Sequence, residues 1–136
     1  MNDMYLQKSA NKYHAKSSIY NGIYYHSQLE AGYAQEFDLR VKAKDIKSWE
    51  RQVKLDLRVN DHHIANYYLD FIITHNDGRR EFIEVKGMET EAWRMKWAIL
   101  EATFDRFKTG PDDSLTVIKQ TNWGKPLFMR RLSPRR

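Results

Sequence analysis

Three strand-like segments in succession are the feature of this sequence that most constrains its fold. Residues 46–59, 64–74 and 79–87 are rich in β-branched and aromatic side chains, and the first of them alternates apolar with polar positions. Short turns connect the segments, NDHH at 60–63 and NDG at 76–78. Because such short turns join antiparallel neighbours, the sequence predicts an antiparallel meander of three strands, with both histidines of NDHH in its first turn.

Helical segments lie on either side of this meander. Residues 27–46 place apolar side chains at helical spacing and begin with Ser27, a good N-cap. A second helix is predicted over 91 to about 108, capped by Thr90, and a strand over 114–120 follows it. The apolar stripe of this helix, predicted to lie in the core, consists of Trp93, Trp97, Leu100, Phe104 and Phe107. Since the second helix crosses over the sheet, we expect the last strand to run parallel to a neighbour.

The predicted fold class is therefore α/β (α+β), with the order αβββαβ and a mixed four-stranded sheet flanked by helices. A chain of 136 residues suits a single domain, 1–136. Its core is expected over about 25–120, between a basic N-terminal segment, 1–24, and a basic C-terminal tail, 121–136. A small hairpin is expected within SIYNGIYYHS, residues 18–27, where Asn-Gly separates two groups of β-forming residues.

Charge and composition narrow the class of partner. The net charge of +5 and the basic, aromatic-bearing ends suit a polyanion, although solvated termini explain the same charge equally well. The absence of cysteine excludes disulfides and thiolate metal sites. No apolar run approaches the roughly 18 residues that cross a bilayer, so we expect no membrane partner and a cytoplasmic location.

Two acidic residues stand among apolar neighbours, Asp70 in YYLDFII and Glu84 in EFIEVKG. The length of the turn between their strands decides whether they meet. A three-residue loop at 76–78 pairs His75 with Arg79 and, further along the ladder, Asp70 with Glu84. A two-residue loop turns Glu84 to the opposite face. The Asn-Asp-Gly sequence favours the three-residue loop, and we predict that register.

In this register the two carboxylates are about 5 Å apart at Cβ and repel each other. Lys86, on the same face as Glu84, and a divalent cation can offset the repulsion. Oxygen ligands without cysteine select Mg²⁺ or Mn²⁺. Such an ion, together with Lys86, can activate a water and stabilise charge on a phosphate.

An ordinary solvated strand surface is the competing interpretation of the Glu-Val-Lys triplet. The triplet Asp45-Ile46-Lys47 shows that an acid-x-lysine pattern occurs in this chain without a partner strand before it. The apolar surroundings of Asp70 favour a functional site, because an unpaired acid is costly there. Glu30 is a third acid, and its spacing from Ser27 predicts a capping box, a role that we favour over catalysis but that does not exclude it.

An acid on the first helix, an acid on a strand and an acid-x-lysine pair on the next strand resemble the PD-(D/E)XK nuclease superfamily. The matching residues are Glu30, Asp70, Glu84 and Lys86. The resemblance covers roughly residues 25–120 and implies a restriction-endonuclease-like core. The stretches SQLEAGYA, YYLDFII and EFIEVKGMET look particularly like small phage- and prophage-encoded members, which are similar to Holliday-junction resolvases and to the nuclease subunit of some transposases.

The resemblance also implies roles for these residues. Asp70 and Glu84 would bind the metal together with the backbone carbonyl of Val85. Lys86 would orient the attacking water or stabilise the pentavalent phosphate. Glu30 would hold a metal-bound water or a second ion.

Two further positions compare with the superfamily. Gln52, in ERQVKL, matches a glutamine often seen on the first strand of similar nucleases and is a candidate accessory residue. Leu69 stands where the proline of the superfamily's name would precede Asp70, and many members lack that proline.

The sequence therefore leads us to expect a divalent-metal-dependent DNA endonuclease that acts on branched DNA, encoded by a phage or prophage and working as a homodimer. Basic residues are candidate contacts to the DNA backbone; these are Arg94, Lys96, Arg130 and Arg131. Two alternatives remain open: a non-catalytic DNA-binding or assembly subunit that keeps the nuclease fold, and a nicking endonuclease with sequence preference.

Overall fold

The computed structural model of this chain describes residues 18–25 and 28–119. The elements in chain order are β1 (Ser18–Tyr20), β2 (Ile23–Tyr25), α1 (Gln28–Lys42), β3 (Ser48–Val59), β4 (His62–Thr74), β5 (Arg80–Lys86), α2 (Glu91–Ala102), a 3₁₀ turn (Phe104–Arg106) and β6 (Ser114–Lys119). From α1 onward, the order of helices and main-sheet strands is the predicted αβββαβ.

The main sheet has four strands in the order β3-β4-β5-β6. The meander β3-β4-β5 is antiparallel, and α2 carries the chain over to β6, which pairs with β5 in parallel. The predicted fold class, a mixed sheet with two helices in a restriction-endonuclease-like arrangement, is thereby confirmed. The short strands β1 and β2 form a separate two-stranded sheet before α1.

Two apolar clusters cover the two faces of the main sheet. One is built on α1 and includes Leu29, Tyr33, Phe37, Phe71, Ile73 and Ile83. The other is built on α2 and includes Leu57, Leu69, Ile72, Phe82, Trp93, Trp97 and Leu100. The sheet is thus the middle of three layers, since each helix buries its apolar stripe on its own face.

The hairpin predicted near the N-terminus is present as β1 and β2. Asn21 and Gly22 have φ values of 53° and 78°, as a two-residue hairpin turn requires. The hairpin is held to α1 by the Tyr20 hydroxyl, which donates to Asp38 Oδ2 over 2.6 Å. Tyr25 is fully buried in the α1 cluster, so these tyrosines fix the hairpin in place.

Three predicted boundaries are wrong. The first helix, predicted to reach residue 46, ends at Lys42, because Lys44 takes the left-handed φ of 63° that is typical just beyond a helix end. The turn between β3 and β4 is Asn60-Asp61, with φ values of 49° and 65°, and His62 and His63 belong to β4 rather than to the turn. Asn and Asp tolerate this left-handed conformation, so two residues are enough to reverse the chain.

The second helix, predicted to reach about residue 108, ends at Ala102. The Thr103 hydroxyl and N–H both donate to the Ile99 carbonyl, and a 3₁₀ turn follows. Its predicted N-cap is confirmed, because the Thr90 side chain accepts from the Trp93 N–H over 3.1 Å. The predicted N-cap of the first helix, Ser27, lies outside the described residues, as do both basic terminal segments except 18–24.

No helix in the described part of the chain is long and apolar enough to cross a bilayer.

Candidate metal centre between two strands

The turn between β4 and β5 has the predicted three residues. His75 N–H donates to the Arg79 carbonyl over 2.8 Å, and Gly78 N–H donates to the His75 carbonyl over 3.0 Å. Gly78 has a φ of 90°, the left-handed position that glycine occupies without steric cost. The loop length that decides whether the two acids meet is therefore confirmed.

The register brings the two acids together at the point where the strands separate. The ladder between β4 and β5 runs from the turn to the pair Phe71 and Ile83, and one further step places Asp70 opposite Glu84. Instead of another backbone rung, Asp70 Oδ2 accepts the Val85 N–H over 2.8 Å. The N–H and C=O of a strand residue point to the same neighbouring strand, so the Val85 carbonyl also faces this cleft.

Side-chain alternation reverses along β4 at the level of the acids. Phe71 packs in the α1 cluster, whereas Ile72 packs in the α2 cluster, and regular alternation then places Asp70 on the α2 face. The same alternation would turn Leu69 towards α1, but Leu69 packs in the α2 cluster. Asp70 therefore shares the α2 face with Glu84, and the strand is irregular where it carries the acid.

The neighbouring strand β3 has its own irregularity at the same level. Gln52 has a φ of 49°, which is rare for a residue with a side chain and costs of order 1–3 kcal/mol. Its Nε2 donates to Asp70 Oδ1 over 3.2 Å. The predicted accessory glutamine is thus in contact with the predicted metal ligand, and both oxygens of Asp70 are held by donors.

Burial dominates the electrostatics of the acid pair. Desolvation raises the pKa of Asp70 to about 6, although the Val85 N–H and the charge of Lys86 act in the opposite direction. Desolvation and the charge of Asp70 raise the pKa of Glu84 well above its ordinary range. Nearby positive charge would lower both pKa values, so the raised values indicate that the positive charge at this site does not balance the two acids.

A chain of polar contacts leads from Glu84 into α2. The Tyr67 hydroxyl interacts with the Glu84 carboxylate and lowers the pKa of that acid. Trp93 Nε1 in turn donates to the Tyr67 hydroxyl over 2.8 Å. One oxygen of Glu84, Oε1, is buried and has no hydrogen-bond partner among the described residues.

Lys86 lies beside the acids without forming an ion pair with them. Its charge lowers the pKa of both Asp70 and Glu84. Its Nζ lies over the ring of Trp93, 5.0 Å from the ring centroid. The lysine is therefore near the site and partly exposed, but its ammonium rests on an aromatic face.

Glu30, in the first turn of α1, is buried despite its charge. It is close enough to raise the pKa of Glu84. Within residues 18–25 and 28–119, however, no three acidic or histidine side chains come together as a metal-binding group. The structure thus brings Asp70 and Glu84 together and places Glu30 nearby, outside a direct three-carboxylate cluster. Its proposed capping partner, Ser27, is outside the described residues.

Sequence reasoning missed three neighbours of the site: Arg51, Tyr67 and Trp93. The charge of Arg51 lowers the pKa of Asp70, its guanidinium lies 4.7 Å from the Tyr25 ring centroid, and it donates to the Tyr24 carbonyl over 3.3 Å. Position 51 next to Gln52 was the available signal for the arginine. Trp93 was correctly predicted to be buried, but no sequence pattern indicated its polar contact.

The structure describes two of the four candidate DNA contacts, Arg94 and Lys96. Arg94 is exposed and forms an ion pair of 3.6 Å with Glu89, which also binds Lys119. Lys96 is exposed on α2. Lys119 is the ladder partner of Lys86 on β6, so Lys119, and Arg94 through Glu89, lie on the β6 side of Lys86. The candidates Arg130 and Arg131 lie outside the described residues.

The site fits a hard divalent cation. Two adjacent carboxylates, an unpartnered buried oxygen on Glu84 and the inward-facing carbonyl of Val85 provide oxygen donors, which Mg²⁺ and Mn²⁺ prefer. The positive charge of a cation bound here would also offset the desolvation and the repulsion that raise the pKa values of the two acids. Asp70, Glu84 and Val85 are accordingly the residues that would hold it.

Comparison with known proteins gives a family for the chain. No curated protein and no solved structure matches the sequence. Residues 10–114 match the family described as "Protein of unknown function (DUF1064)", and this match spans well over half of the 136 residues. The chain therefore belongs to the DUF1064 family.

Proposed function

We propose that this protein is a divalent-metal-dependent DNA endonuclease that hydrolyses phosphodiester bonds in branched DNA. One observation carries the proposal: Asp70 and Glu84 are buried side by side where β4 and β5 separate, with Lys86 on the same face. A purely structural sheet gains nothing from two buried acids whose pKa values are both raised.

The residues divide the chemistry between them. Asp70, Glu84 and the Val85 carbonyl hold the cation, and Gln52 keeps Asp70 oriented through its 3.2 Å hydrogen bond. When bound, Mg²⁺ supplies Lewis-acid stabilisation of the phosphate and a water of lowered pKa. Lys86 provides a positive charge beside the phosphate. Glu30 contributes a further acceptor for water at the edge of the site.

The substrate follows from charge and from the resemblance to junction-resolving nucleases. The net charge of +5 and the basic residues Lys86, Lys119 and Arg94, which β5, β6 and α2 supply, suit a phosphate backbone, and Lys96 is a further exposed candidate on α2. A branched junction presents two strands to cut, so a homodimer is part of the proposal. Action on phage or prophage DNA places the protein in the bacterial cytoplasm.

Cleavage of labelled four-way junction, flap and linear duplex in Mg²⁺, Mn²⁺ or EDTA tests the proposal. We expect cutting of the branched substrates with either metal and none in EDTA. Glu84→Gln and Lys86→Ala should each reduce the cleavage rate by about 100-fold or more, because the first removes a charged ligand of the cation and the second a positive charge beside the phosphate. DNA binding, measured by fluorescence anisotropy, should persist in Lys86→Ala.

The chain supplies its own matched controls in Asp45 and Lys47, the two exposed residues of the triplet Asp45-Ile46-Lys47. Asp45→Asn and Lys47→Ala make the same chemical changes outside the site and should cut at the wild-type rate. Wild type that binds every DNA but cuts none, in Mg²⁺ and in Mn²⁺, would instead identify a non-catalytic DNA-binding subunit. Cutting of linear duplex at fixed sequences would identify a sequence-preferring nicking or restriction-type enzyme.

A further inference from the structure

One tryptophan of α2 contacts both halves of the candidate site. The Trp93 ring lies under Lys86 Nζ, with 5.0 Å between the nitrogen and the ring centroid. Its indole Nε1 donates to the Tyr67 hydroxyl over 2.8 Å, and Tyr67 interacts with Glu84. A single buried side chain therefore touches the lysine directly and reaches the acid through one intermediary.

The Lys86 ammonium can interact either with the two carboxylates or with the Trp93 ring. Asp70 and Glu84 both attract its charge, yet none of the ion pairs among the described residues includes Lys86. An ammonium over a tryptophan face is stabilised to an extent comparable with a partly exposed ion pair. The ring can therefore compete with the carboxylates for the lysine.

We propose that Trp93 is a positioning residue that holds Lys86 away from Asp70 and Glu84, so that both carboxylates stay available to a divalent cation. Without the ring, the ammonium moves onto the acids, neutralises them and competes with the metal. This inference rests on the proposed nuclease function and deepens it, because it explains how a lysine and a cation share one small site.

The surroundings of Trp93 suit such a role. The ring is 7 % exposed and stacks on Trp97, with 5.5 Å between centroids and 23° between planes. The hydrogen bond to Tyr67, itself 5 % exposed, fixes the rotation of the indole. The orientation of the face presented to Lys86 is thus fixed by the hydrogen bond to Tyr67.

Isothermal titration of the metal-free protein with Mn²⁺ tests the inference without any need for cleavage. Trp93→Leu removes the aromatic face and should weaken Mn²⁺ binding about tenfold, in the range found when groups supporting metal ligands are changed. Trp93→Phe keeps a face and should weaken binding by roughly threefold or less. In a Lys86→Met background, Trp93→Leu should change the affinity by less than about twofold, because the competing ammonium is gone.

Trp97→Leu is the matched control for the loss of a buried indole. Trp97 lies one turn further along the same helix, and its Nε1 has no hydrogen-bond partner among the described residues. The variant should lose stability without losing Mn²⁺ affinity. The ring-current shift of the Lys86 ε-methylene in the NMR spectrum gives a direct readout, present in wild type and Trp97→Leu and absent in Trp93→Leu.

The outcomes separate this inference from the nuclease proposal. Wild-type Mn²⁺ affinity in Trp93→Leu, or an equal loss with and without Lys86, overturns the positioning role while leaving the metal site intact. A wild type that binds no Mn²⁺ overturns the metal site and the inference together. A wild type that binds Mn²⁺, shows the predicted coupling between Trp93 and Lys86, but cuts no DNA supports the inference and contradicts the enzyme.

Discussion

Replacement of Asp70 by asparagine should stabilise the metal-free protein at neutral and alkaline pH. Burial raises the pKa of Asp70 from 3.8 to about 6 in the folded protein. The folded state therefore holds this proton more tightly than the unfolded state, and stability falls as the pH rises from 3.8 towards 6 and stays low above it. At about 1.4 kcal/mol per pH unit, the loss at pH 8 is about 3 kcal/mol.

Asparagine removes this loss and can retain the local hydrogen bonds. Its carbonyl oxygen can accept the Val85 N–H, and its amide can donate to Gln52 after the glutamine amide has flipped. The charge of Asp70 also raises the pKa of Glu84, so its removal relieves the second acid as well. Allowing about 1 kcal/mol for imperfect hydrogen bonds, we expect Asp70→Asn to be about 2 kcal/mol more stable than wild type at pH 8.

Urea unfolding in EDTA, followed by circular dichroism at pH 4 and pH 8, measures this difference. The gain should be present at pH 8 and largely absent at pH 4. Mn²⁺ should reverse the ranking, because a ligand at 100 times its Kd stabilises the folded wild type by about 2.7 kcal/mol and the variant lacks a ligand. Asp45→Asn, at an exposed position, should show no gain. A variant that is less stable than wild type at pH 8, or a gain equal at both pH values, would refute the reasoning.

Two further predictions concern the supports of the site and of the fold. Gln52→Leu removes the 3.2 Å hydrogen bond to Asp70 and should weaken Mn²⁺ binding about tenfold in calorimetric titration; an unchanged affinity would contradict the accessory role. Asp38→Ala leaves the Tyr20 hydroxyl and the Trp49 indole N–H without their acceptor and should cost about 2 kcal/mol. Hydrogen exchange should then accelerate in the β1–β2 hairpin more than in the main sheet, and equal acceleration everywhere would argue against a local anchor.

The register of β4 and β5 was predictable because the sequence of the turn indicates how many residues it contains. Asn76, Asp77 and Gly78 are residues that close a three-residue loop, and the Asp77 side chain accepts the Arg79 N–H over 3.0 Å. Once that length is known, the pairing of Asp70 with Glu84 follows by counting. His62 and His63 were wrongly placed in a turn because the NDHH sequence does not indicate the length of its turn. A four-residue turn was predicted, whereas Asn60 and Asp61 alone reverse the chain.

The polar support of the site was not predictable because it depends on a break in alternation. Strict alternation places Tyr67 on the face opposite Asp70, whereas the reversal between Leu69 and Asp70 brings both to the α2 side. No glycine or proline marks this reversal, and Gln52 takes a positive φ without a local sequence signal. The same break hid the second role of Trp93, which helical spacing identified only as a core residue.

The end of the ladder between β4 and β5 has a consequence for the mechanics of the sheet. Beyond Phe71 and Ile83 the two strands separate, and Val85 is tied across the gap through the Asp70 side chain. A cation bound by Asp70 and Glu84 would link β4 to β5 at this point, where the backbone ladder no longer does. Metal binding would then make local separation of β4 and β5 less favourable. Slower hydrogen exchange at the Val85 N–H would therefore report the metal-bound protein before any DNA is cut.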